Sequence, residues 1–365
     1  MLKQVQLRRI LYRILLGLNV FFAFTLLISY LAVHISPGDF ALPAYFGLAY
    51  PYLLLINVLI VIIWVMLLRF EALISVAVIA LGLTHFSNYL KLSKPSEDKS
   101  GTFKVLSYNI RLFNYFESNG RTGSEKNIGA FVKAQDADII CLQEYFVPGD
   151  PEAKGKLIKS SLGQNYHSHI KLIGWKKNRY YGIATFSRFP IVNKGEIVHP
   201  GSSSLTIFTD VMIQNDTFRI YNNHLQSFRL KKMDGSLIEE MTSEDNETFD
   251  EVKSLSFSLK KGFVRRSVQA QVVKEHIRNS KYPVIVAGDF NDTPVSYTYR
   301  KIRNGLNDSF VTSGYGAGFT YKGNYPPNRI DYILYDNALI NNHFDIVRVK
   351  YSDHYPIIAW FRKKN

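Results

Sequence analysis

Acidic, amide and imidazole side chains recur in this sequence at the ends of short apolar runs that are typical of buried β-strands. Six such places supply Asn109, Glu144, His224, Asp289, Asn291, Asp331, Asp353 and His354. A carboxylate or an imidazole beside a buried strand costs on the order of several kcal/mol unless it is paired or bound to a cation. One such residue is usually a satisfied structural hydrogen bond, whereas six places along one chain favour convergence on a single site.

The residue types at these places indicate a hard divalent cation. Asn, Glu and Asp oxygens, together with water, are the ligands that Mg²⁺ or Mn²⁺ prefers. A dedicated zinc site is disfavoured, because Cys141 is the only cysteine in the 365 residues. A hard cation beside carboxylates and imidazoles fits phosphoryl transfer to water. The cation neutralises phosphate oxygens, a carboxylate activates the water, and cationic imidazoles balance the developing charge.

The elements that must position these residues are short β-branched runs that alternate with helical stretches. The predicted strands are 104–108, 138–142, 181–186, 204–214, 217–223, 284–287, 329–334 and 357–361, and the predicted helices are 124–134, 264–279 and 294–303. This pattern predicts a mixed α/β domain over residues 102–365, with two packed sheets flanked by helices.

Six short motifs follow one another along this domain. They are Ser107-Tyr108-Asn109-Ile110, Leu142-Gln143-Glu144, Asn223-His224-Leu225, Gly288-Asp289-Phe290-Asn291, Arg329-Ile330-Asp331-Tyr332 and Ser352-Asp353-His354-Tyr355-Pro356. With these motifs in this order, residues 103–362 resemble the endonuclease/exonuclease/phosphatase superfamily, which includes DNase I, apurinic endonucleases, neutral sphingomyelinases and inositol-polyphosphate phosphatases. The resemblance implies a DNase I-like four-layer α/β sandwich with two sheets, and metal-dependent phosphoester hydrolysis with water as the nucleophile.

The resemblance also implies a role for each of the metal-site residues. Glu144 would be the principal ligand of Mg²⁺ (or Mn²⁺), with Asn109 beside it. Asp353 would complete the metal site or hold a metal-bound water.

The same resemblance assigns the catalytic residues. Asp289 would orient and deprotonate the attacking water, and Asn291 would either contact the phosphate or fix Asp289. His354 would contact the scissile phosphate and be oriented and kept cationic by Asp331, while His224 would place a second imidazole on the phosphate oxygens. Which group acts as the general base stays open at this point.

The first 91 residues differ in character from the rest of the chain, because they contain three long apolar runs. A helix needs about 20 apolar residues to cross a bilayer, so the runs predict membrane spans at about 11–33, 43–68 and 72–90, followed by a polar linker at 92–101. Lys3, Arg8, Arg9 and Arg13 precede the first run, which predicts a cytoplasmic N-terminus. Three crossings, or one crossing and a re-entrant hairpin, predict an extracytoplasmic catalytic domain. Two crossings would leave it in the cytoplasm.

The substrate is the least constrained part of the prediction. A net charge of +14 favours a phosphate-bearing partner only weakly, and nucleic acid, a phospholipid head group or a small phosphoester all fit. Membrane attachment favours lipid head groups or extracytoplasmic phosphoesters, because it raises the local concentration of the site at the bilayer. Two alternatives stay open: a catalytically silent binding or sensor domain on the same scaffold, and transport by the apolar region with the soluble domain as its regulator.

Overall fold

The computed structural model describes residues 2–94, 103–115, 124–149, 161–228 except 164, 177, 200 and 203, 247–323 and 326–364. Residues 95–101 of the predicted linker lie outside the described residues. Contacts divide the chain into two compact units. The helical unit comprises residues 1–87, 228–267 and 293–300, and the sheet unit comprises residues 88–227, 268–292 and 301–365.

The helices are numbered along the chain. They are α1 (Leu2–Leu31), α2 (Leu42–Leu48), α3 (Tyr50–Met66), α4 (Ala72–Leu81), α5 (Leu83–Phe86), α6 (Ser124–Ala134), α7 (Glu247–Arg278), α8 (Tyr297–Arg303) and α9 (Ser309–Ser313).

The strands are numbered in the same way. They are β1 (Leu90–Lys91), β2 (Phe103–Asn109), β3 (Ile139–Pro148), β4 (His167–Lys176), β5 (Arg179–Ser187), β6 (Ile191–Ile197), β7 (Leu205–Ile213), β8 (Asp216–His224), β9 (Val284–Asp289), β10 (Asn307–Asp308), β11 (Gly316–Ala317), β12 (Asp331–Tyr335), β13 (Leu339–Ile346) and β14 (Ile357–Lys363).

A buried polar cluster joins α1, α3 and α4 in the helical unit. The Ser75 hydroxyl lies 2.6 Å from Asn19 Oδ1 and 2.8 Å from Asn57 Oδ1. The amide of Asn19 donates to the backbone oxygen of Glu71 at 2.8 Å, and that of Asn57 donates to the backbone oxygen of Phe22 at 3.0 Å. Because these polar groups satisfy one another, the three helices have a defined mutual register.

The prediction of three membrane-spanning helices was wrong. Among the described residues, one helix is long and apolar enough to span a membrane, namely Gln4–Leu31 within α1. The bent pair α2–α3 would be a second span if its two helices were counted as one. The α2–α3 pair bends by 69° at its break, where Ala49 separates the two helices and Pro51 stands at the start of α3. The third predicted span contains α4 of only 10 residues, which ends at Leu81 and is followed by the C-cap residue Gly82. At about 1.5 Å per residue, α4 covers roughly half of a hydrocarbon core.

The sheet unit contains two six-stranded sheets of mixed direction. Sheet I has the strand order β10-β12-β9-β8-β7-β6 and sheet II has the order β13-β14-β2-β3-β5-β4. Each has one central parallel pair: β8 with β9 in sheet I and β2 with β3 in sheet II. The registers pair His224 with Asp289 in sheet I and Asn109 with Gln143 in sheet II.

The two sheets pack face to face over an apolar core. Val105 and Ile139 of sheet II share this core with Ile220 and Ile285 of sheet I. On the outer face of sheet II, α6 packs through Ile128. On sheet I, the hydroxyl of Tyr221 in β8 lies 2.8 Å from His276 Nδ1 in α7. Two mixed sheets with helices agree with the predicted DNase I-like α/β fold.

Candidate active site

The parallel strand pairs bring four of the predicted site residues to one edge of the sandwich. Asn109 ends β2, Asp289 ends β9 and His224 ends β8, while Glu144 follows Gln143 within β3. Asn109 joins the two sheets, since its Nδ2 donates to Asp289 Oδ2 at 2.9 Å and to Glu144 Oε1 at 3.2 Å. The pleated registers therefore explain why residues far apart in sequence meet here.

The backbone at two of these positions departs from regular strand geometry. Glu144 lies at a β-bulge between Gln143 and Tyr145 and has a φ of 52°. A left-handed non-glycine residue at a bulge re-aims its side chain at a cost of about 1–3 kcal/mol. Gly288 has a φ of +132°, and a Cβ there would lie 2.1 Å from the carbonyl oxygen of Asn223. Glycine is therefore required for the end of β9 to lie this close to β8.

Asp289 is held by donors on both carboxylate oxygens. It is 1% exposed, and its Oδ1 accepts the backbone N–H of Asn291 at 2.7 Å. Its Oδ2 accepts the side-chain amide of Asn291 at 3.2 Å, in addition to that of Asn109. The Asn291 amide also donates to the Leu225 carbonyl at 3.0 Å. Of the two roles expected for Asn291, these contacts favour the fixing of Asp289.

His354 and Asp331 form a buried pair, as the resemblance implied. His354 Nδ1 lies 2.9 Å from Asp331 Oδ2. Its Nε2 faces Asp289 Oδ2 at 3.8 Å, which is too long for a hydrogen bond. The ring of Tyr321 packs edge-on against the imidazole at a centroid distance of 5.1 Å. One imidazole nitrogen is therefore fixed by Asp331, and the other is directed at Asp289 across a short gap.

His224 approaches the same carboxylates from sheet I. Its Nε2 lies 3.5 Å from Glu144 Oε1 and 3.9 Å from Asp289 Oδ2. Within the described part of the chain this buried nitrogen has no hydrogen-bond partner. A buried polar atom without a partner needs an explanation, and a water, an ion or a ligand in the site could supply the missing partner.

Asp353 stands at the rim and is linked to the core of the site through neighbours. Its Oδ2 lies 3.4 Å from Arg111 Nε. The adjacent Ser352 hydroxyl donates to the Asn109 carbonyl at 2.8 Å and accepts the His354 backbone N–H at 3.2 Å. The segment 352–354 is thereby tied to the end of β2.

The buried charges perturb one another's pKa values. Burial raises the pKa of Asp289 to about 6, with the Asp331 carboxylate adding to the shift and the two imidazoles opposing it. Burial and then the carboxylate of Asp353 raise the pKa of Glu144. Burial acts to lower the pKa of His354, yet Asp331 and Asp289 raise it well above its usual value. Clustered perturbed groups of this kind are typical of active sites.

The second imidazole differs electrostatically from the first. Burial lowers the pKa of His224, since it outweighs the attraction of Asp289. Of the two imidazoles expected to be cationic, the shifts therefore favour the cationic form for His354 and disfavour it for His224. A neutral imidazole can still donate one hydrogen bond to a phosphate oxygen.

The donor set fits a hard divalent cation. Two carboxylates with raised pKa values, Glu144 and Asp289, are bridged by a single amide, and a cation beside them would offset the cost of removing their charges from water. Asn109 Oδ1 accepts the Arg111 N–H at 3.0 Å and keeps a second lone pair. Asp289, Asp331 and His354 also offer ligand atoms within 4.8 Å of one another, a set that differs from the predicted ligands Glu144, Asn109 and Asp353.

Sequence reasoning missed several residues that shape the site. Arg111 pairs with Asp353, and Thr320 Oγ1 accepts the backbone N–H of Asp331 at 3.1 Å. Ser352 stood in a recognised motif, but its bridging hydroxyl was not anticipated. The position of Arg111 two residues after Asn109 was a usable signal, whereas Thr320 is not adjacent to any of the recognised motifs.

The fold and this geometry define a member of the Endonuclease/Exonuclease/phosphatase family, and the sequence profile of that family matches residues 106–354. The chain therefore belongs to this family, which supports a phosphoester hydrolase. A second profile, for a domain of unknown function (DUF8431), matches residues 12–89. A comparison with curated proteins found no match.

Solved structures show the same fold. An endonuclease/exonuclease/phosphatase family protein from Leptotrichia buccalis is 16% identical, with a TM-score of 0.51 over 72% of this chain and 100% of its own. The human Nocturnin catalytic domain, solved with a sulfate anion, is 19% identical, with a TM-score of 0.52 over 73% of this chain and 95% of its own. TDP2 from D. rerio, solved with a single-strand DNA product, is 15% identical, with a TM-score of 0.52 over 72% and 100%.

Proposed function

We propose that this protein is a membrane-anchored, Mg²⁺-dependent phosphoester hydrolase that uses water as its nucleophile. The observation that carries the proposal is the meeting of Glu144, Asp289 and His354 around one point at the edge of two sheets. Asn109 bridges the two carboxylates at 3.2 and 2.9 Å, and His354 Nε2 lies 3.8 Å from Asp289. This constellation supports phosphoryl transfer better than a purely structural role, because it brings a second carboxylate to the buried Asp289 without a cationic partner between them among the residues that the structure describes.

Glu144 is the proposed principal ligand of the cation, with Asn109 and Asp353 around it. His354 is not among the proposed ligands, because its Nδ1 lies 2.9 Å from Asp331 Oδ2 and its proposed role is to contact the phosphate. When bound, Mg²⁺ would neutralise phosphate oxygens and the leaving group. Mn²⁺, which accepts the same oxygen ligands, is expected to substitute for it.

The protein's own residues supply the proton transfer and part of the charge balance. Asp289, with a pKa of about 6, is mostly ionised at neutral pH and is the proposed acceptor of the water proton. Asn291 and Asn109 keep its oxygens in place. His354, protonated and held by Asp331, donates to a phosphate oxygen, and His224 adds a neutral donor.

Membrane attachment is supported by the distribution of side chains in the helical unit. Polar Asn19, Asn57 and Ser75 are fully buried, whereas Phe21 and Phe24 of α1 are 57% and 60% exposed. Only 28% of the most apolar stretch of α1 is buried against the rest of the protein. A core helix of a soluble protein would be mostly buried, so we infer that lipid covers this surface. Burial of Asn19 between three helices also argues that α1 stays with the folded protein instead of acting as a cleaved signal peptide.

We also propose a membrane topology, using contacts within this unit. In the first half of α1, the Tyr12 ring packs against Trp64 at 5.7 Å, and its hydroxyl donates to Glu71. Near the C-terminal end, the Tyr30 ring stacks on His85 at 5.1 Å. The α3–α4 turn thus lies beside the first half of α1, and α5 lies beside the C-terminal end of α1. With the basic N-terminus in the cytoplasm, α1 as the one crossing and the second and third apolar runs as a re-entrant hairpin, we propose that the sheet unit is extracytoplasmic.

The substrate is proposed to be a phosphoester presented at or near the bilayer, such as a phospholipid head group, with nucleic acid and small phosphoesters as alternatives. All three substrate classes contain a phosphate. The proposed contacts of the imidazoles and the cation are with the phosphate alone, so these groups do not distinguish the classes. A panel of sphingomyelin, phosphatidylinositol phosphates, plasmid DNA, single-stranded RNA and nucleotides, each with and without EDTA, distinguishes them.

Hydrolysis of bis-p-nitrophenyl phosphate by the full-length protein in detergent tests the proposal. We expect activity that EDTA abolishes and Mg²⁺ restores, and we expect His354→Ala to lose about 10³-fold or more in kcat. The matched control is Asp210→Asn, because Asp210 is also 1% exposed and pairs with a cation, Arg219, at 2.7 Å. A His354→Ala variant that keeps more than a tenth of wild-type activity contradicts the assignment. A wild-type protein that binds phosphoesters without cleaving any of them supports the silent binding domain instead.

A further inference from the structure

The segment that follows the catalytic strand β9 packs against the apolar N-terminal region. Thr293, two residues after Asn291, donates from its hydroxyl to the Gly47 carbonyl in α2 at 3.4 Å. A Cβ on Gly47 would lie 2.3 Å from the Val295 carbonyl oxygen and 2.6 Å from the Ala32 Cβ. Thr293 and Val295 are both fully buried. At Gly47, therefore, the backbone of α2 lies directly against the backbone of the segment 293–296.

The segment that follows the other catalytic strand, β8, is connected to the same helix. Phe228, four residues after His224, packs edge-on against Phe263 of α7 at 5.4 Å. Phe263 in turn contacts the ring of Tyr45 in α2 at 5.3 Å, and the Tyr45 hydroxyl donates to the Ser256 carbonyl at 2.7 Å. Helix α2 thus touches the segment after β9 directly, and the segment after β8 through one intervening ring.

The conformation of the β9 segment determines where Asp289 points. Asn291 has a φ of 52°, a left-handed conformation that the surroundings must maintain. Its backbone N–H and its side-chain amide both donate to Asp289, at 2.7 and 3.2 Å. A displacement of Thr293 is therefore transmitted through one residue, Asp292, to the group that fixes the carboxylate. In enzymes, a misplacement of about 1 Å at the reacting groups costs on the order of 10²-fold in rate.

We propose that α2 is a positioning element of the active site and that Gly47 is its positioning residue, so that the N-terminal region acts in catalysis as well as in anchoring. The inference rests on the proposed hydrolase function, since it assigns α2 an effect on Asp289. It predicts that a small side chain at position 47 lowers kcat without weakening substrate binding.

Full-length Gly47→Ala in detergent, assayed for kcat and KM on bis-p-nitrophenyl phosphate with saturating Mg²⁺, tests the inference. We expect kcat to fall by about tenfold or more while KM stays within about twofold, because the loss is one of catalytic geometry. Gly17→Ala is the matched control, since Gly17 is also in a helix of this region and no atom lies within 4 Å of the place that a Cβ would take there. Its kcat is expected to equal that of the wild type.

The double variant Ala32→Gly/Gly47→Ala separates the contact with Val295 from packing inside the helical unit. Removing the Ala32 methyl group relieves one of the two close contacts and leaves the other in place. A persistent loss of kcat in the double variant, with Ala32→Gly alone active, supports the inference. Recovery of wild-type kcat in the double variant overturns it, because the defect then comes from Ala32.

Two further measurements keep the inference testable if Gly47→Ala does not fold or if the wild-type protein shows no activity. Tyr45→Leu removes the Phe263 ring contact and the Ser256 hydrogen bond without adding volume, and it is expected to lower kcat several-fold. Hydrogen exchange of peptides covering 289–296 is expected to accelerate in Gly47→Ala but not in Gly17→Ala. Wild-type kcat in both Gly47→Ala and Tyr45→Leu overturns the inference alone, whereas an inactive wild type overturns the proposed function. Unchanged exchange at 289–296 overturns the inference in either case.

Discussion

Asp331→Asn isolates the electrostatic role of the buried pair in the active site. The substitution keeps the shape of a side chain that is 2% exposed, and it removes the negative charge 2.9 Å from His354 Nδ1. Losing one partner of a buried ion pair costs about 3–5 kcal/mol when the remaining charge stays in place. His354 can avoid part of this cost by releasing its proton. We therefore expect kcat to fall by roughly 10²- to 10³-fold near pH 8, at about 1.4 kcal/mol per factor of ten.

The loss of kcat in Asp331→Asn is expected to be larger at high pH than at low pH. Asp331 raises the pKa of His354 in the wild type, so the imidazolium persists as the pH rises through neutrality. In Asp331→Asn that pKa moves down, and the protonated form survives only at lower pH. The ratio of variant to wild-type kcat should therefore be larger near pH 6 than near pH 8, measured with bis-p-nitrophenyl phosphate and saturating Mg²⁺. An Asp331→Asn enzyme within threefold of wild type, with an unchanged pH profile, would refute the role assigned to the pair.

Three further changes test other residues of the sheet unit. Glu144→Gln is expected to raise the Mg²⁺ concentration for half-maximal activity about tenfold or more, and an unchanged metal titration speaks against Glu144 as a ligand. Gly288→Ala is expected to lower the free energy of unfolding by at least about 3 kcal/mol, because its Cβ would lie 2.1 Å from the Asn223 carbonyl oxygen. The control is Gly316→Ala, which is expected to cost less, because Gly316 also has a positive φ (+72°) but no atom lies within 4 Å of the place of its Cβ. Burial lowers the pKa of His169 and of His199 to about 4, so the thermal midpoint should fall as the pH drops below about 6.5; His199→Gln should flatten that dependence, and equal slopes for the two proteins would count against it.

The strands that carry the site were predictable because their sequences are apolar on both faces. Val284–Asp289 is buried at every position, and Phe103–Asn109 at all but one. Edge strands were harder to predict, because apolar and polar residues alternate less clearly along their sequences and more of their polar side chains are exposed. Ile191–Ile197, at the edge of sheet I, buries only Ile197, and Leu339–Ile346 contains two asparagines and a histidine. Whether such a segment forms a strand depends on its packing against a neighbouring strand, and the local sequence does not show that packing.

That the residues of the site lie together was predictable from their types, but most of their contacts were not. Asn291 was expected either to contact the phosphate or to fix Asp289, and the structure shows its backbone N–H 2.7 Å from Asp289 Oδ1. The lowered pKa of His224 follows from burial, which only the fold determines. The break of the third apolar run at Gly82 was not predictable either, because the sequence of an uncharged run does not show whether it forms one helix or two.

The site straddles the two sheets, and this arrangement links catalysis to the packing of the core. Glu144 and Asn109 come from sheet II, whereas Asp289 and His224 come from sheet I. Two buried amide contacts hold the sheets in register at this edge: Asn109 Nδ2 to Asp289 Oδ2 at 2.9 Å, and Gln143 Nε2 to Asn222 Oδ1 at 2.8 Å. A sliding of one sheet over the other would separate the proposed metal ligand from the proposed base before it exposed any apolar core. Catalytic activity should therefore be lost at lower denaturant concentration than the strand structure itself, since the polar contacts depend on distance more steeply than apolar packing does.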